Sequence, residues 1–122
     1  MIKYAIRLHN NNRDASLIFH ASPDSEGHPP SKFQWYITED KNLEGKPIED
    51  ELYASYITHT KLIKEEGYEG LYLYCKFTYI DTNQENKTEF IQLFSDVNKI
   101  IDSGTIFDDI SKFDEKGNII KQ

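Results

Sequence analysis

The sequence is poor in the residues that mark disulfide-rich, membrane and nucleotide-binding proteins. It has one cysteine in 122 residues, Cys75, which excludes an internal disulfide framework and a cysteine-based structural zinc site. No apolar run approaches the ~18 residues of a membrane helix, and the N-terminus lacks the apolar stretch of a signal peptide. The six glycines are scattered, so there is no glycine-rich phosphate loop. These absences predict a soluble cytoplasmic protein.

Basic residues are also scarce. Lys and Arg together number 14 against 21 Asp and Glu, which gives a formal net charge of -7. Proteins that bind nucleic acid or anionic membranes carry an excess of positive charge. The balance therefore argues against direct binding to either and favours a partner of opposite charge.

Aromatic residues, in contrast, are plentiful. Eight Tyr, seven Phe and one Trp make up 13% of the chain. Each buried aromatic side chain removes ~150–250 Å² from water, and a chain this rich in them can offset the entropy lost on folding, which argues against disorder. Because the length suits one domain, we predict a single globular domain spanning residues 1–122.

Alternation of apolar and polar residues predicts most of the strands. Residues 2–9 and 14–21 alternate on either side of an Asn-rich turn, as is typical of a hairpin. A third strand is predicted over 32–38, after a segment that contains three of the four prolines. Segments 70–81 and 87–94 predict a second hairpin. Both of its faces carry apolar residues, so we expect it to lie centrally in the sheet.

A first helix is predicted over about 47–60. Ile48, Leu52 and Tyr56 fall at i, i+4 and i+8, the spacing of one helix face. The same segment is dense in β-branched and aromatic residues, which prefer strands. Residues 57–65 therefore stay open between a continued helix and a strand that pairs with the next strand of the chain.

A second helix is predicted over 95–103, where Val97, Ile100 and Ile101 form an apolar stripe that ends before Gly104. Hairpins dominate the rest of the chain, and helices do not alternate with strands. The predicted fold class is therefore α+β: a mainly antiparallel sheet of about five to six strands with one or two helices packed on it.

The sequence shows no residue arrangement typical of an enzyme. Cys75 falls in mid-strand among inward-pointing positions, as expected of a buried structural thiol. No two of the four histidines have the spacing of a zinc-protease helix. Adjacent carboxylates are numerous and are most simply solvated surface. We therefore predict that the protein is not an enzyme and has no catalytic residue, no metal and no cofactor.

A cluster of carboxylates near the C-terminus bears most directly on function. Residues 96–115 carry six carboxylates and two lysines, which is either a solvated helix face or a surface that attracts a basic partner. Tyrosines are enriched at protein interfaces. We therefore predict a small acidic protein that binds and blocks a basic protein, as a toxin-neutralising immunity protein or a phage-type inhibitor does; a nuclease toxin is one such partner. The predicted contact residues are Tyr36, Tyr72, Tyr74, Asp108 and Asp109.

Two other functions fit the sequence. The first is a small-molecule-binding domain, or an enzyme without a familiar motif, with an aromatic-lined cavity and Tyr4, Arg7, His20 and His59 as its polar groups. The second is an assembly component that oligomerises through an exposed strand edge, either the third strand or the last.

Overall fold

A computed structural model describes residues 2–9, 11, 13–21, 32–79, 85–102 and 106–108. In chain order the elements are β1 (Ile2–His9), β2 (Asp14–Ala21), β3 (Lys32–Thr38), β4 (Lys46–Pro47), β5 (Ser55–His59), α1 (Thr60–Glu65), β6 (Tyr72–Thr78), β7 (Glu85–Lys87), β8 (Ile91–Gln92), α2 (Val97–Asp102) and β9 (Ile106–Asp108). Neither described helix is long and apolar enough to cross a membrane. The predicted α+β fold class with mainly antiparallel strands is confirmed.

The first hairpin forms as predicted. β1 and β2 pair antiparallel along their full lengths, from Ile2 opposite Ala21 to His9 opposite Asp14. β5 pairs antiparallel with β2, and β9 pairs parallel with β1, so the order of this sheet is β5-β2-β1-β9. We call it sheet 1.

The second hairpin builds the other sheet, sheet 2, with the order β4-β3-β6-β7. β6 pairs with β3 on one side and with β7 and β8 on the other, so it is central, as predicted. Its second arm is two short strands rather than one, because the Thr88 hydroxyl accepts a hydrogen bond from the Cys75 N–H at 2.8 Å between them. The strands are thus divided between two sheets.

Both sheets contribute to one hydrophobic core. Trp35 of β3 is the largest fully buried side chain, and its indole N–H donates to the Tyr53 carbonyl at 2.8 Å. Its ring centroid lies 6.0 Å from that of Tyr56 in β5, which lies 6.4 Å from that of Phe19 in β2. These aromatic contacts join the two sheets, and they confirm that part of the aromatic content serves the core.

The helix predicted over 47–60 is wrong for most of that segment. Residues 46–47 form β4 beside β3, and β5 lies beside β2. Asp50 has a φ of 64°, a left-handed conformation that a helix does not accommodate. Helix begins only at Thr60, so the open segment 57–65 is a strand that ends at His59 and then a short helix.

Tertiary hydrogen bonds explain this error. The Ile48 N–H donates to the Trp35 carbonyl at 2.8 Å, and the Trp35 N–H donates to the Glu51 carbonyl at 3.2 Å. Main-chain groups of 48–51 that would form hydrogen bonds within a helix are therefore bonded to β3. Ile48 and Tyr56 are buried, but Leu52, which helical spacing puts on the same face, is 57% exposed. The β-branched and aromatic residues of the segment instead form β5, which pairs with β2 and not with the next strand.

The two described helices are short and capped by side chains. The His59 Nδ1 accepts a hydrogen bond from the Leu62 N–H at 3.3 Å at the start of α1. α2 lies within the predicted 95–103 segment, and the Asp96 carboxylate accepts from the Asn98 N–H at 3.0 Å at its start. Side-chain acceptors at these positions satisfy main-chain donors that a helix leaves open.

Candidate partner-binding site

The structure brings together the three tyrosines that were predicted to contact a partner. Tyr36 lies opposite Tyr74 on the neighbouring strand, and their rings stack with centroids 5.2 Å apart and an interplanar angle of 5°. The Phe90 ring lies edge-on, 5.1 Å from Tyr74 and 6.4 Å from Tyr72. We call these four residues the aromatic row. Tyr74 is fully buried and the other three are half-buried.

Lysine side chains cover the aromatic row. Three ammonium groups lie 4.4–5.1 Å from ring centroids: Lys41 over Tyr72, Lys76 over Tyr36, and Lys87 over Tyr74. Each cation–π contact at an exposed site is worth ~0.5–1 kcal/mol. The predicted tyrosines therefore lie under basic side chains of the chain itself, on the face of sheet 2 opposite the core.

The two predicted acidic contacts are not part of this row. Asp108 ends β9 and pairs in register with Ala5 of β1, in sheet 1. Asp109 lies outside the described residues. A role for either residue in partner binding stays a prediction.

A loop of residues 39–45, the 39–45 loop, is anchored to the aromatic row. The buried Tyr74 hydroxyl accepts a hydrogen bond from the Gly45 N–H at 2.8 Å. The Lys76 Nζ donates to the Glu44 Oε1 at 2.7 Å, and this bond holds the pKa of the Glu44 carboxyl below its usual range. The loop also has an internal turn, in which the Asp40 carboxylate accepts from the Asn42 N–H at 2.9 Å. The row thus fixes the position of the loop.

Gly45 allows the closest of these contacts. A Cβ atom at this position would lie 2.6 Å from the Ile37 carbonyl oxygen and 3.1 Å from Cε1 of Tyr74. The first distance is shorter than any real Cβ contact, and its partner is main chain that cannot rotate away. Only glycine lets the end of the 39–45 loop pack directly against β3 and Tyr74.

The other side of the 39–45 loop borders a groove of about 400 Å³. Its second wall is the segment that follows α1. The lining residues are Ile37, Thr38, Glu39, Leu43, Glu44, Gly45, Lys46, Glu66, Gly67, Tyr68 and Leu71. Apolar side chains from both walls line it, and three carboxylates stand against one ammonium group. We call it the acidic groove.

The negative charge of the acidic groove is only partly compensated. Lys76 binds Glu44, but Glu39 and Glu66 are exposed and form no ion pair within the described residues. Glu66 also acts on its neighbours. Burial, followed by the charges of Asp50 and Glu66, raises the pKa of the Glu51 carboxyl, and burial followed by Glu66 raises the pKa of the nearby Tyr68 phenol. The exposed carboxylates of Glu39 and Glu66 thus leave the groove with uncompensated negative charge.

Sequence reasoning missed the acidic groove. It treated Glu39 and Glu66 as plain solvated surface and placed the important carboxylates at 96–115. The two walls lie more than 20 residues apart in the chain, and they meet only because β3 and β6 are paired. Gly45-Lys46-Pro47 is a weak local signal, because this combination is typical of a turn beside an edge strand, although helical spacing predicts that a helix begins at Pro47.

The polar groups proposed for a small-molecule site do not converge. The Tyr4 hydroxyl donates to a main-chain carbonyl of α2 at 2.8 Å, on the core side of sheet 1. The His20 ring binds the Ser55 hydroxyl at 2.7 Å, and burial together with a nearby lysine lowers its pKa. His59 caps α1, and Arg7 is exposed on β1. Tyr4, His20 and His59 thus serve separate local contacts.

Thiol and metal chemistry find no support in the described part of the chain. Cys75 is buried, as predicted, and burial raises the pKa of its thiol to about 12, which disfavours the reactive thiolate. No group of three or more His, Cys, Asp or Glu side chains in the described residues could hold a metal ion.

In comparisons with known proteins, no family model, no curated protein and no solved structure matches this chain. Function is therefore inferred from the geometry and charge of the acidic groove.

Proposed function

We propose that the chain is a small acidic protein that binds and blocks a basic protein partner, and that the acidic groove is its binding site. The observation that supports this proposal is the groove's combination of apolar walls with unbalanced carboxylates. Lys and Arg side chains have an apolar stem and a cationic head. A basic side chain from a partner matches the groove in both respects.

Binding in this proposal has two physical parts. The carboxylates Glu39 and Glu66 attract the partner over distance and raise the association rate. Leu43, which is 57% exposed at the groove, loses contact with water when the partner covers it and so slows dissociation. A cytoplasmic immunity protein or inhibitor would use both. A nuclease toxin, whose own substrate site is basic, belongs to the expected class of partner.

The aromatic row has a supporting part in this proposal. Tyr74 is a positioning residue, because it is fully buried and holds the Gly45 end of the loop that forms one wall of the groove. Tyr36 and Tyr72 stabilise the lysine layer on the opposite side of the same loop. The tyrosines thus affect partner binding through the shape of the groove.

A pull-down from host lysate, eluted in a salt gradient, tests the proposal. The bait is the tagged chain, with Glu39→Gln/Glu66→Gln as the test variant and Glu89→Gln, an exposed carboxylate that does not line the groove, as the control. We expect one stoichiometric basic protein, released by salt, that binds the wild type and the control and binds the double variant at least tenfold more weakly. Its activity should fall when the wild-type chain is added.

Two results would contradict the proposal. One is a pull-down at protein concentrations that capture micromolar complexes and still yield no basic partner. The other is a partner whose affinity and salt dependence are the same for the double variant and the wild type.

A second candidate function is a small-molecule-binding domain, because a volume of about 400 Å³ lies within the ~300–1,000 Å³ of typical ligand pockets. The charge of the groove would then select a small cation such as a polyamine or a guanidinium compound. A thermal-shift screen that finds stabilisation by such a cation, lost in the double variant, would favour this function.

A further inference from the structure

The exposed edges of the two sheets differ in how they are protected. Sheets are normally guarded against pairing with other chains by charged side chains or proline on their edge strands. β4, at one edge of sheet 2, consists of Lys46 and Pro47, and β7 at the other edge contains Glu85 and Lys87. β5, at one edge of sheet 1, reads Ser-Tyr-Ile-Thr-His and has neither a charged residue nor proline.

The unprotected edge is part of a longer uncharged segment. Residues 52–60 carry no Asp, Glu, Lys or Arg, although such residues make up 29% of the chain. Three of the five exposed large hydrophobic side chains in the described residues fall here: Leu52 is 57% exposed, Tyr53 49% and Ile57 42%. Apolar area is therefore concentrated along β5, an edge that has no charge to keep other chains away.

Main-chain geometry leaves this edge able to form hydrogen bonds. The Ala21 N–H donates to the Ala54 carbonyl at 2.8 Å, which fixes the phase of the ladder between β2 and β5. Because bonding directions alternate along an antiparallel strand, Tyr56 and Thr58 point their main-chain groups at β2, while Ser55 and Ile57 point theirs outward. Among the described strands, none pairs with that outer edge.

We propose that β5 is a self-association edge, and that its occupant is β5 of a second copy of this chain, paired antiparallel about a two-fold axis near Ile57. A two-fold interface uses the same surface on both subunits, which suits a strand edge. Two copies that each carry a charge of -7 repel one another least where their surfaces have no charge. A basic partner, in contrast, gains nothing electrostatically from an uncharged edge.

This edge differs from the one expected from the sequence. β3, the third strand, lies between β4 and β6 and is not an edge, so the third-strand alternative is wrong. β9, the last described strand, is at the far edge of sheet 1. The sequence pattern predicts helix over much of this segment and so does not identify β5 as an edge.

Sedimentation equilibrium of the full chain over about 1–200 µM tests the proposal. We expect the wild type to be a dimer at the upper end and Ile57→Lys to be a monomer throughout, since it puts a charge beside its own symmetry mate. Leu43→Lys is the control, because Leu43 is another exposed aliphatic residue that lies outside this edge, and it should remain dimeric. Tyr53→Lys is a second test variant, and circular dichroism checks that every variant is folded.

The possible outcomes separate this proposal from the proposed function. A wild type that is monomeric at 200 µM, or an Ile57→Lys variant that still dimerises, would overturn the β5 dimer. Dissociation of the dimer by Leu43→Lys but not by Ile57→Lys would place the interface elsewhere and would also overturn it. Loss of the basic partner in Ile57→Lys, with no dimer in the wild type, would assign the edge to the partner. If Ile57→Lys removes the dimer and Leu43→Lys removes only the basic partner, both proposals stand.

Discussion

The two sides of the 39–45 loop differ in how far the fold covers their side chains. On one side the aromatic row is closed, because its central ring is fully buried and lysines cover its outer rings. On the other side the acidic groove is open, with two carboxylates that no described cation pairs. Residue type alone pointed to the tyrosines as the interface. The comparison shows that an abundant, interface-prone residue is free for a partner only where the fold leaves it uncovered.

Gly45→Ala should have the largest effect, because it forces the 39–45 loop away from both the aromatic row and the acidic groove. The new Cβ would lie 2.6 Å from the Ile37 carbonyl oxygen, and overpacking of this kind costs about 1–3 kcal/mol of unfolding free energy. We expect that loss in urea unfolding together with weaker binding of the basic partner. Gly70→Ala is the control, since Gly70 has a φ of 78° with nothing within 4 Å of an added Cβ, so it should lose stability through backbone strain and keep partner affinity.

Tyr74→Phe tests whether the aromatic row positions the groove. The variant keeps the ring and removes the hydroxyl that accepts from the Gly45 N–H, so the free energy of unfolding should fall by about 0.5–1.5 kcal/mol. Partner affinity, measured by calorimetry, should fall as well. Tyr36→Phe removes a hydroxyl from the stacked neighbouring ring and leaves the Gly45 bond in place. Equal affinities for these two variants would refute the positioning role of Tyr74.

Lys87→Gln tests the lysine layer over the aromatic row without changing the acidic groove. Its ammonium group lies 4.4 Å from the Tyr74 ring centroid and 5.0 Å from that of Phe90, so its replacement should cost ~0.5–1 kcal/mol of stability. Partner affinity should be unchanged, because Lys87 does not line the groove. Thermal unfolding and calorimetry on the same sample check both statements, and a large loss of affinity would show that the lysine layer itself contacts the partner.

Glu51→Gln tests the negative charge near the acidic groove through the pH dependence of the free energy of unfolding. Burial and the charges of Asp50 and Glu66 raise the pKa of Glu51 in the folded state, so its charged form destabilises the fold above that pKa, and the penalty disappears as pH falls below the unfolded value. We expect the variant to gain at most about 0.5 kcal/mol near neutral pH, since the group is only half-buried and solvent screens its charge, and to gain nothing near pH 3. Urea unfolding at both values, with the exposed Glu49→Gln as control, measures this difference. A gain of the same size at both pH values would disprove the electrostatic cause.

Much of the strand pattern could be read directly from the chain. The β1–β2 hairpin has the predicted limits, because alternation of apolar and polar residues marks both strands. α2 lies within the predicted segment because its apolar stripe is local. The error at 47–60 arose where a local pattern competed with tertiary pairing. The i, i+4 spacing of Ile48 and Leu52 was real, but β3 took the hydrogen bonds of that main chain.

The hairpins, the burial of Cys75 and the acidic charge balance are predictable from the sequence, because each depends on alternation within a strand or on composition alone. Three features depend on tertiary contacts instead: Tyr74 lies beneath Lys87, the acidic groove forms between Glu39 and Glu66, and β5 is an uncharged edge. The physical reason is the same in each case. These features depend on segments far apart in the chain that meet when strands pair, and the meeting decides which side chains are covered and which charges remain uncompensated.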